Sequence, residues 1–363
     1  VDQPPPAGMH WRGTPVSRRS LLVGLGAVGA FLAVDLGAVA YANDWIGGAT
    51  TLTRQSFIDR FQSVFGVHPG FRRNHAKGVA VRGRFDSTGD ASALSSAEVL
   101  RAGTSPVVGR FSLGGGNPAA VDAAGTVRGL GLAIGFPGRH QWRTAMLNLP
   151  VFTVNSPQGF FDQLLASKAD PATGKPDPAT MAAFLDAHPE TAAATAIVKA
   201  HPPTPGFADS TFSSLNTFWA VDGSGTRTPV RWALVPRQAA LPAGKGGDDV
   251  LFDALVRQLE STALHWDLRF TVGTGDDPVD PTLPWPPDRR VVQAGTLTLD
   301  TVETERAGNA RDVNFDPLVL PDGLEPSDDP ILSARSAVYA ASYRARSGEP
   351  KSPSAVQVDQ VAP

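Results

Sequence analysis

The stretch Asp328-Asp329-Pro330-Ile331-Leu332-Ser333-Ala334-Arg335-Ser336-Ala337-Val338-Tyr339, running on to Tyr343 and Arg346, decides how the rest of the chain is read. Tyr339 and Tyr343 are two of only three tyrosines in 363 residues. Pro330 suits the first position of a helix, where its missing N–H is not needed, and the two carboxylates before it face the positive end of the helix dipole. At 3.6 residues per turn, Arg335, Tyr339, Tyr343 and Arg346 fall within roughly 80° of one another. One phenol is thus flanked by guanidinium groups. A phenol has an ordinary pKa of about 10, and a neighbouring guanidinium favours the phenolate, a hard anionic ligand for ferric iron. The spacing by itself also describes an amphipathic helix with tyrosines in the core and arginines in water. The surrounding sequence separates the two.

Upstream of this helix the chain reads as short strands between turns. Strand character falls on Gly78–Phe85, Val107–Ser112, Gly129–Phe136, Val151–Val154, Phe218–Val221, Val230–Pro236, His265–Val272 and Val291–Val302. Eight such segments separated by Gly/Pro turns predict an α+β fold built on an antiparallel eight-stranded β-barrel with surrounding helices. Helical spacing of apolar residues predicts helices over Gln55–Phe65 and Asp248–Leu259, and two short ones within Asp177–Lys199, broken at Pro189.

Composition narrows the function classes. Hydrophobic residues make up 42% and charged residues 18%, enough to bury a large core. The 37 glycines and 32 prolines fit many turns. A net charge of −3 and a pI near 6.2 give no basic footprint for nucleic acid. The absence of cysteine excludes disulfides, thiolate metal sites, iron–sulfur clusters and a Cys nucleophile.

The N-terminal region reads separately, as residues 1–48. Ser17-Arg18-Arg19-Ser20-Leu21-Leu22 opens an apolar run that ends at Ala40-Tyr41-Ala42, the pattern of a twin-arginine export signal with a small-residue cleavage site. An uncleaved anchor, associating with the membrane through residues 21–42, is the alternative. Only 14 residues lie between Leu21 and Val34 before Asp35 interrupts, short of the roughly 20 that span a bilayer. Residues 49–346 are expected to form the folded domain, and 347–363 a flexible tail.

Three further segments carry candidate chemistry. Arg72-Arg73-Asn74-His75-Ala76-Lys77-Gly78 places a histidine beside small residues at a strand start, where it can reach a barrel cavity or simply sit in a basic turn. Ser105-Pro106-Val107-Val108-Gly109-Arg110-Phe111-Ser112 is a strand with one Arg and one hydroxyl. Asn148-Leu149-Pro150-Val151-Phe152 precedes Phe160 and Phe161. Each has an ordinary structural reading when taken alone.

Taken together and in this order, with Asn314-Phe315-Asp316-Pro317 and Pro321-Asp322-Gly323-Leu324-Glu325-Pro326-Ser327 leading into Arg335 and Tyr339, these segments resemble the haem catalase superfamily over about residues 57–346. The resemblance implies a haem b iron held by Tyr339, with Arg335 keeping that phenol ionised and Asp329 supporting Arg335; tyrosine ligation of haem is a known property of catalases. It implies a distal His75 oriented by Ser112, haem carboxylates paired with Arg72, Arg110 and Arg346, and Phe160 stacked over the ring. The family's distal Asn falls at Leu147, so either Asn148 takes that role after a one-residue shift or the group is absent. The His that extends the proximal network in larger members is Asn216 here. The long N-terminal arm, extra C-terminal helices and flavodoxin-like domain of large catalases have no counterpart, so the resemblance is to the minimal, catalase-related peroxidases.

The function so implied is reduction of hydrogen peroxide or organic hydroperoxides at the expense of a small-molecule electron donor, with weak catalase activity. Hydroperoxide isomerisation or dehydration on the same fold, and non-catalytic haem binding in the cell envelope, are the alternatives. A monomer or small homo-oligomer, exported by the twin-arginine route, is expected. His10, His68, His140, His188, His201 and His265 lack partners at ligand spacing and are read as ordinary surface or core residues.

Overall fold

The computed structural model describes residues 52–123, 125–138, 140–240 and 247–361. The expected export segment therefore lies outside the described residues. Among the described residues no helix is long and apolar enough to cross a membrane. Residues from Arg54 onward make up one unit, and the account below concerns it.

Ten antiparallel strands form one sheet: β1 (Gly78–Ser87), β2 (Gly103–Leu113), β3 (Arg128–Ile134), β4 (Trp142–Leu147), β5 (Phe212–Ser213), β6 (Phe218–Val221), β7 (Arg227–Pro236), β8 (Leu264–Val272), β9 (Val291–Glu303) and β10 (Leu324–Pro326). Their order is β10-β6-β7-β5-β4-β3-β2-β1-β9-β8, and a further β7–β8 pairing closes the eight strands from β7 to β8 into a barrel. The N-terminal half of β7 pairs with β6, which in turn carries β10, so these two strands extend the wall as a flap.

One expected strand is corrected. Val151–Val154 forms no strand, and the wall is completed by Trp142–Leu147 instead. The run Trp-Arg-Thr-Ala-Met-Leu lacks the β-branched alternation that marks a strand. It is held in the sheet by its register with β3, Leu147 opposite Gly129 and Trp142 opposite Ile134.

Period-two alternation divides the wall into two faces. Val79, Val81, Phe111, Leu130, Leu132 and Met146 point inward and join Trp142, Trp232 and Trp266 in the main core. Trp142 meets Trp232 edge-to-face at 5.0 Å, and Phe111 lies 5.9 Å from Trp266. The indole N–H groups of Trp232 and Trp266 donate to Thr144 Oγ1 and to the Ser210 carbonyl. The barrel interior is therefore filled, so a cavity that His75 reaches lies on the outer face of the barrel wall. The alternate residues of β1–β4 face outward: Gly78, Ala80, Arg110, Ser112, Gly129, Gly131, Ala145 and Leu147.

The helices are α1 (Arg54–Phe65), α2 (Pro157–Ala166), α3 (Pro178–Ala187), α4 (Pro189–Ala200), α5 (Val250–Ser261) and α6 (Pro330–Ser347); α1, α2 and α6 lie over this outer face, whereas α5 packs its apolar side into the main core. The break at Pro189 and all three other expected helices are present. Helix α6 begins as its sequence predicts: Pro330 occupies the first turn, and the Asp329 carboxylate accepts the Ile331 N–H at 2.8 Å.

The segment after α6, expected to be a flexible tail, packs on the domain as far as it is described. Val356 and Val358 are buried in the main core, the Glu349 carboxylate pairs with buried Arg73 and accepts the Gly70 N–H, and the Val358 N–H donates to Thr304. The short apolar spacing of Val356 and Val358 gives no helical or strand period by which sequence would reveal this.

Candidate functional site

A cavity of about 440 Å³ lies between the outer face of β1–β4 and helices α1, α2 and α6. The sequence builds its wall from small residues. Ser112 stands in register between Gly78 and Gly129, and Arg110 between Ala80 and Gly131. A Cβ on Gly129 would come within 3.0 Å of the His75 ring, and one on Gly78 within 2.4 Å of the Arg110 guanidinium. Glycine at these two places makes room for the imidazole and for the guanidinium.

His75 lines the cavity, with Nδ1 3.1 Å from Ser112 Oγ. Its backbone is left-handed, φ 56°, which a residue bearing a side chain adopts only when its surroundings hold it there. Asn74 Oδ1 accepts the His75 N–H at 3.0 Å and the Gly115 N–H at 2.8 Å, and the His75 carbonyl accepts from Arg110 at 2.8 Å. Burial, followed by the charges of Arg110, Arg335 and Arg72, lowers the His75 pKa to about 3. The ring is neutral at physiological pH and free to accept a proton.

The opposite wall is α6. Ile331, Ala334, Arg335, Tyr339, Tyr343 and Arg346 all line the cavity, so the expected single face of this helix is the one that faces it. Arg335 donates to the Ala145 carbonyl at 2.7 Å and to Asn216 Oδ1. Asn216 Nδ2 in turn donates to Asp329 at 2.6 Å. The support expected from Asp329 for Arg335 thus runs through the Asn216 amide. The segment Asn314–Pro317 fixes α6 from outside: Asp316 accepts from Ser336 at 2.8 Å, and Phe315 packs with Ala80, Ala133 and Tyr339.

At one end of the cavity three arginines converge. Arg72 and Arg346 both direct N–H groups to the Val313 carbonyl, at 2.9 and 3.2 Å. Arg110 makes a two-point ion pair with buried Glu305 at 2.8 and 2.9 Å, and Arg72 approaches the same carboxylate at 3.4 Å. Burial and then the charge of Arg110 depress both the Arg72 pKa and that of Arg346, the latter to about 10, and both remain cationic at neutral pH. Although burial pushes the Glu305 carboxyl upward, Arg110, Arg72 and Arg311 hold it below the usual range.

Phe160 lines the cavity from α2 and stacks on Phe57 of α1 at 6.1 Å. Asn148 does not line it. Its side-chain oxygen accepts the Arg128 N–H at 2.7 Å, and its own N–H bonds the Arg128 carbonyl, so the amide closes the β3–β4 pair at its end. Leu147 and Leu149 face the cavity in its place. The candidate role of Asn148 is corrected accordingly: strand pairing fixes Leu147 outward opposite Gly129, and the next residue turns away.

Sequence reasoning missed Glu305 and Asn74. Glu305 sits just past β9 in no motif, with partners more than 190 residues away. Asn74, next to His75, carried the signal of a side chain able to cap a turn. Of the other described histidines, none lines the cavity: His68, His201 and His265 bond nearby carbonyls or Thr298, and His140 and His188 face carboxylates.

Comparison with known proteins agrees with this geometry. The family model for catalase matches residues 44–243. The chain is 38% identical over 306 residues to a catalase-related peroxidase of Synechococcus elongatus, covering 82% of this chain and 90% of that protein. It is 34% identical over 304 residues to a catalase-related peroxidase of Mycolicibacterium paratuberculosis, covering 82% and 96%. A solved bacterial catalase superimposes with a TM-score of 0.68 over 82% of this chain and 62% of its own, at 21% identity, a likeness of fold. With a histidine and a tyrosine facing one another across the outer wall of a closed barrel, and relatives matched nearly end to end, the chain belongs to the catalase family, among its minimal catalase-related peroxidases.

Proposed function

We propose that the protein is a haem-dependent peroxidase that reduces hydrogen peroxide or organic hydroperoxides with electrons from a small-molecule donor. The observation that carries this reading is the cavity itself, with the neutral imidazole of His75 on one wall, the phenol of Tyr339 on the other, and cationic Arg72 and Arg346 at one end. The residues fit a flat iron-bearing ring with two carboxylates. The small outward residues of the wall make room for the groups that would flank such a ring, Gly129 for the His75 imidazole and Gly131 with Ala80 for Phe315. A single phenol as protein ligand suits an iron held mainly by its own ring. Haem b is the form proposed, and Arg72 and Arg346 would meet its two carboxylates.

When bound, the haem iron supplies the two-electron chemistry of O–O cleavage. The chain supplies the rest. Tyr339 would be the protein ligand, one turn beyond Arg335 on the face of α6 that lines the cavity. In the tautomer that donates Nδ1–H to Ser112 Oγ, His75 keeps Nε2 unprotonated. That nitrogen takes the proton from the peroxide's inner oxygen and returns it to the departing one, which leaves as water or an alcohol. Two electrons and two protons, the electrons from the donor, complete the balance.

Leu147 and Leu149 in place of an amide favour donor oxidation over oxygen release. The second half of a catalase cycle requires another peroxide to be oriented in the same cavity, and the wall beside Asn148 presents to it the apolar Leu147 and Leu149. Adding hydrogen peroxide to haem-loaded protein, with and without an oxidisable phenol, is expected to give fast phenol oxidation and slow oxygen release. In Leu147→Asn, oxygen release should rise by on the order of tenfold, since one oriented donor in a water-poor site carries that much or more. Rapid oxygen release by the wild type, indifferent to the phenol, would show that the protein works as a catalase. Consumption of a donor also separates peroxidase turnover from hydroperoxide isomerisation, which needs none.

The Ser17–Leu22 pattern supports export by the twin-arginine route. Replacing Arg18 and Arg19 by Lys is expected to retain the protein in the cytoplasm, measured by cell fractionation.

A further inference from the structure

Two walls of the cavity, residues 65–75 and helix α6, are far apart in sequence, and the chain crosses from the second to the first as soon as α6 ends. Residues 348–352 run against residues 69–73. The Glu349 carboxylate accepts the Gly70 N–H at 2.7 Å and pairs with the Arg73 guanidinium, and Ser352 Oγ donates to the Pro69 carbonyl at 3.2 Å. Gly70 is left-handed, φ 79°, and a Cβ there would stand 2.4 Å from the Pro350 carbonyl, so the two backbones touch. Pro69, Gly70, Glu349 and Ser352 do not line the cavity. Their contacts are therefore independent of what fills it.

The two ends of α6 are held differently. At its start Asp329, Ile331 and Leu332 are buried, and Arg335 is tied to Asn216. At its end the attachments are polar and reached by water: the Glu349 side chain is 26% exposed, and that of Lys351, which donates to the Arg346 carbonyl, is 36% exposed. One further bond joins the walls there, from the Arg73 N–H to Ser342 Oγ at 3.1 Å. Local opening begins where buried apolar contact is least and polar contacts meet solvent. The last two turns of α6 are thus the part of this wall able to part from residues 65–75, pivoting on the buried start. Val356 and Val358 remain in the main core, so the released segment stays tethered and returns. A rigid macrocycle cannot fold to pass a narrow mouth. It enters where two walls separate.

We propose that residues 348–352 form a clasp between the two cavity walls, and that haem enters and leaves when this clasp opens. The proposal rests on the haem peroxidase reading for its cargo, whereas the opening is a property of the haem-free chain. The two are measured apart.

The test compares wild type with Glu349→Gln and with the double variant Pro69→Cys, Ser352→Cys. The chain has no other cysteine, so the oxidised and reduced forms of the double variant differ only in the bridge. Backbone hydrogen exchange in haem-free protein reads the opening. Optical mixing with free haem reads entry, and transfer of bound haem to an excess of a haem-scavenging apoprotein reads exit. In Glu349→Gln, exchange at Gly70, at Arg73 and in the last two turns of α6 should rise together by on the order of tenfold, the scale of a charged hydrogen bond, while the amides of β7 and β8 stay protected. Entry and exit of haem should accelerate by a similar factor, with affinity kept within about threefold, because a gate changes both rates whereas a residue that touches the ring changes mainly exit. The oxidised double variant should take up haem roughly tenfold or more slowly than its own reduced form. Exchange in Glu349→Gln that matches wild type overturns the clasp. So does acceleration of exit alone, or equal loading of the oxidised and reduced forms. If wild-type protein binds no haem, the proposed function fails, whereas the exchange comparison still decides whether the clasp opens.

Discussion

A neutral imidazole in a left-handed turn is a combination with measurable consequences. His75 ionises at about 3 in the folded protein, and in the unfolded chain at about 6.5. The folded-state value is the lower one, so the contribution of this residue is fully present above pH ~6.5 and is lost progressively as the pH falls toward 3. Between pH 7.5 and 5.0, wild-type protein should therefore lose about 2 kcal/mol more stability than His75→Gln, at 1.36 kcal/mol per unit. Urea unfolding at the two pH values reads this directly, and parallel losses in both proteins would contradict it. The Glu305 carboxyl, held below its usual range, adds its own loss only at lower pH. The window above pH 5 thus isolates the histidine. His75, Ser112, Tyr339, Arg335 and Arg346 were legible because motif order fixed their places. Glu305 was not, because a buried carboxylate whose partners lie hundreds of residues upstream leaves no local trace in sequence.

Helix α6 is the element on which the proximal wall depends, and its first residue carries more than a cap. Asp329 is fully buried, accepts the Ile331 N–H with one oxygen and the Asn216 amide with the other, and through Asn216 holds Arg335. Asp329→Ala removes the cap and leaves the buried Asn216 amide short of a partner, a loss of about 2–4 kcal/mol in total. Chemical denaturation checks the stability. The optical spectrum of the haem-loaded variant should shift as Arg335 loosens beside Tyr339. Helices like this one were readable from sequence, with Pro330 and the paired aspartates marking the start. Strand β4 was not. Its Ala, Met and Leu carry no strand preference, and only pairing with β3 on one side and β5 on the other makes it extended, whereas the β-rich Val151–Val154 lies beyond the sheet's end.

For the molecule as a whole, the segment after α6 acts as a fastening. Residues 348–361 bring Glu349 to Arg73, Ser352 to Arg311, and Val356 and Val358 into the barrel's core, so they tie the entry to β1 to the far end of the chain. Truncation after Ser347 should lower stability by about 3 kcal/mol or more, the value of burying two valines, and leave the Arg73 guanidinium buried without its carboxylate. A fall of less than about 1 kcal/mol in urea unfolding would show that this segment is dispensable. Composition and turn frequency made the barrel class readable, but a tail without periodicity gives sequence nothing to measure. The alternation of the barrel wall has a wider meaning. In β1–β4 one set of side chains fills the barrel and the next set borders the haem cavity, so the gene encodes stability and chemistry on interleaved codons. A substitution in one set can then reshape the cavity while the packing of the barrel is left as it stands.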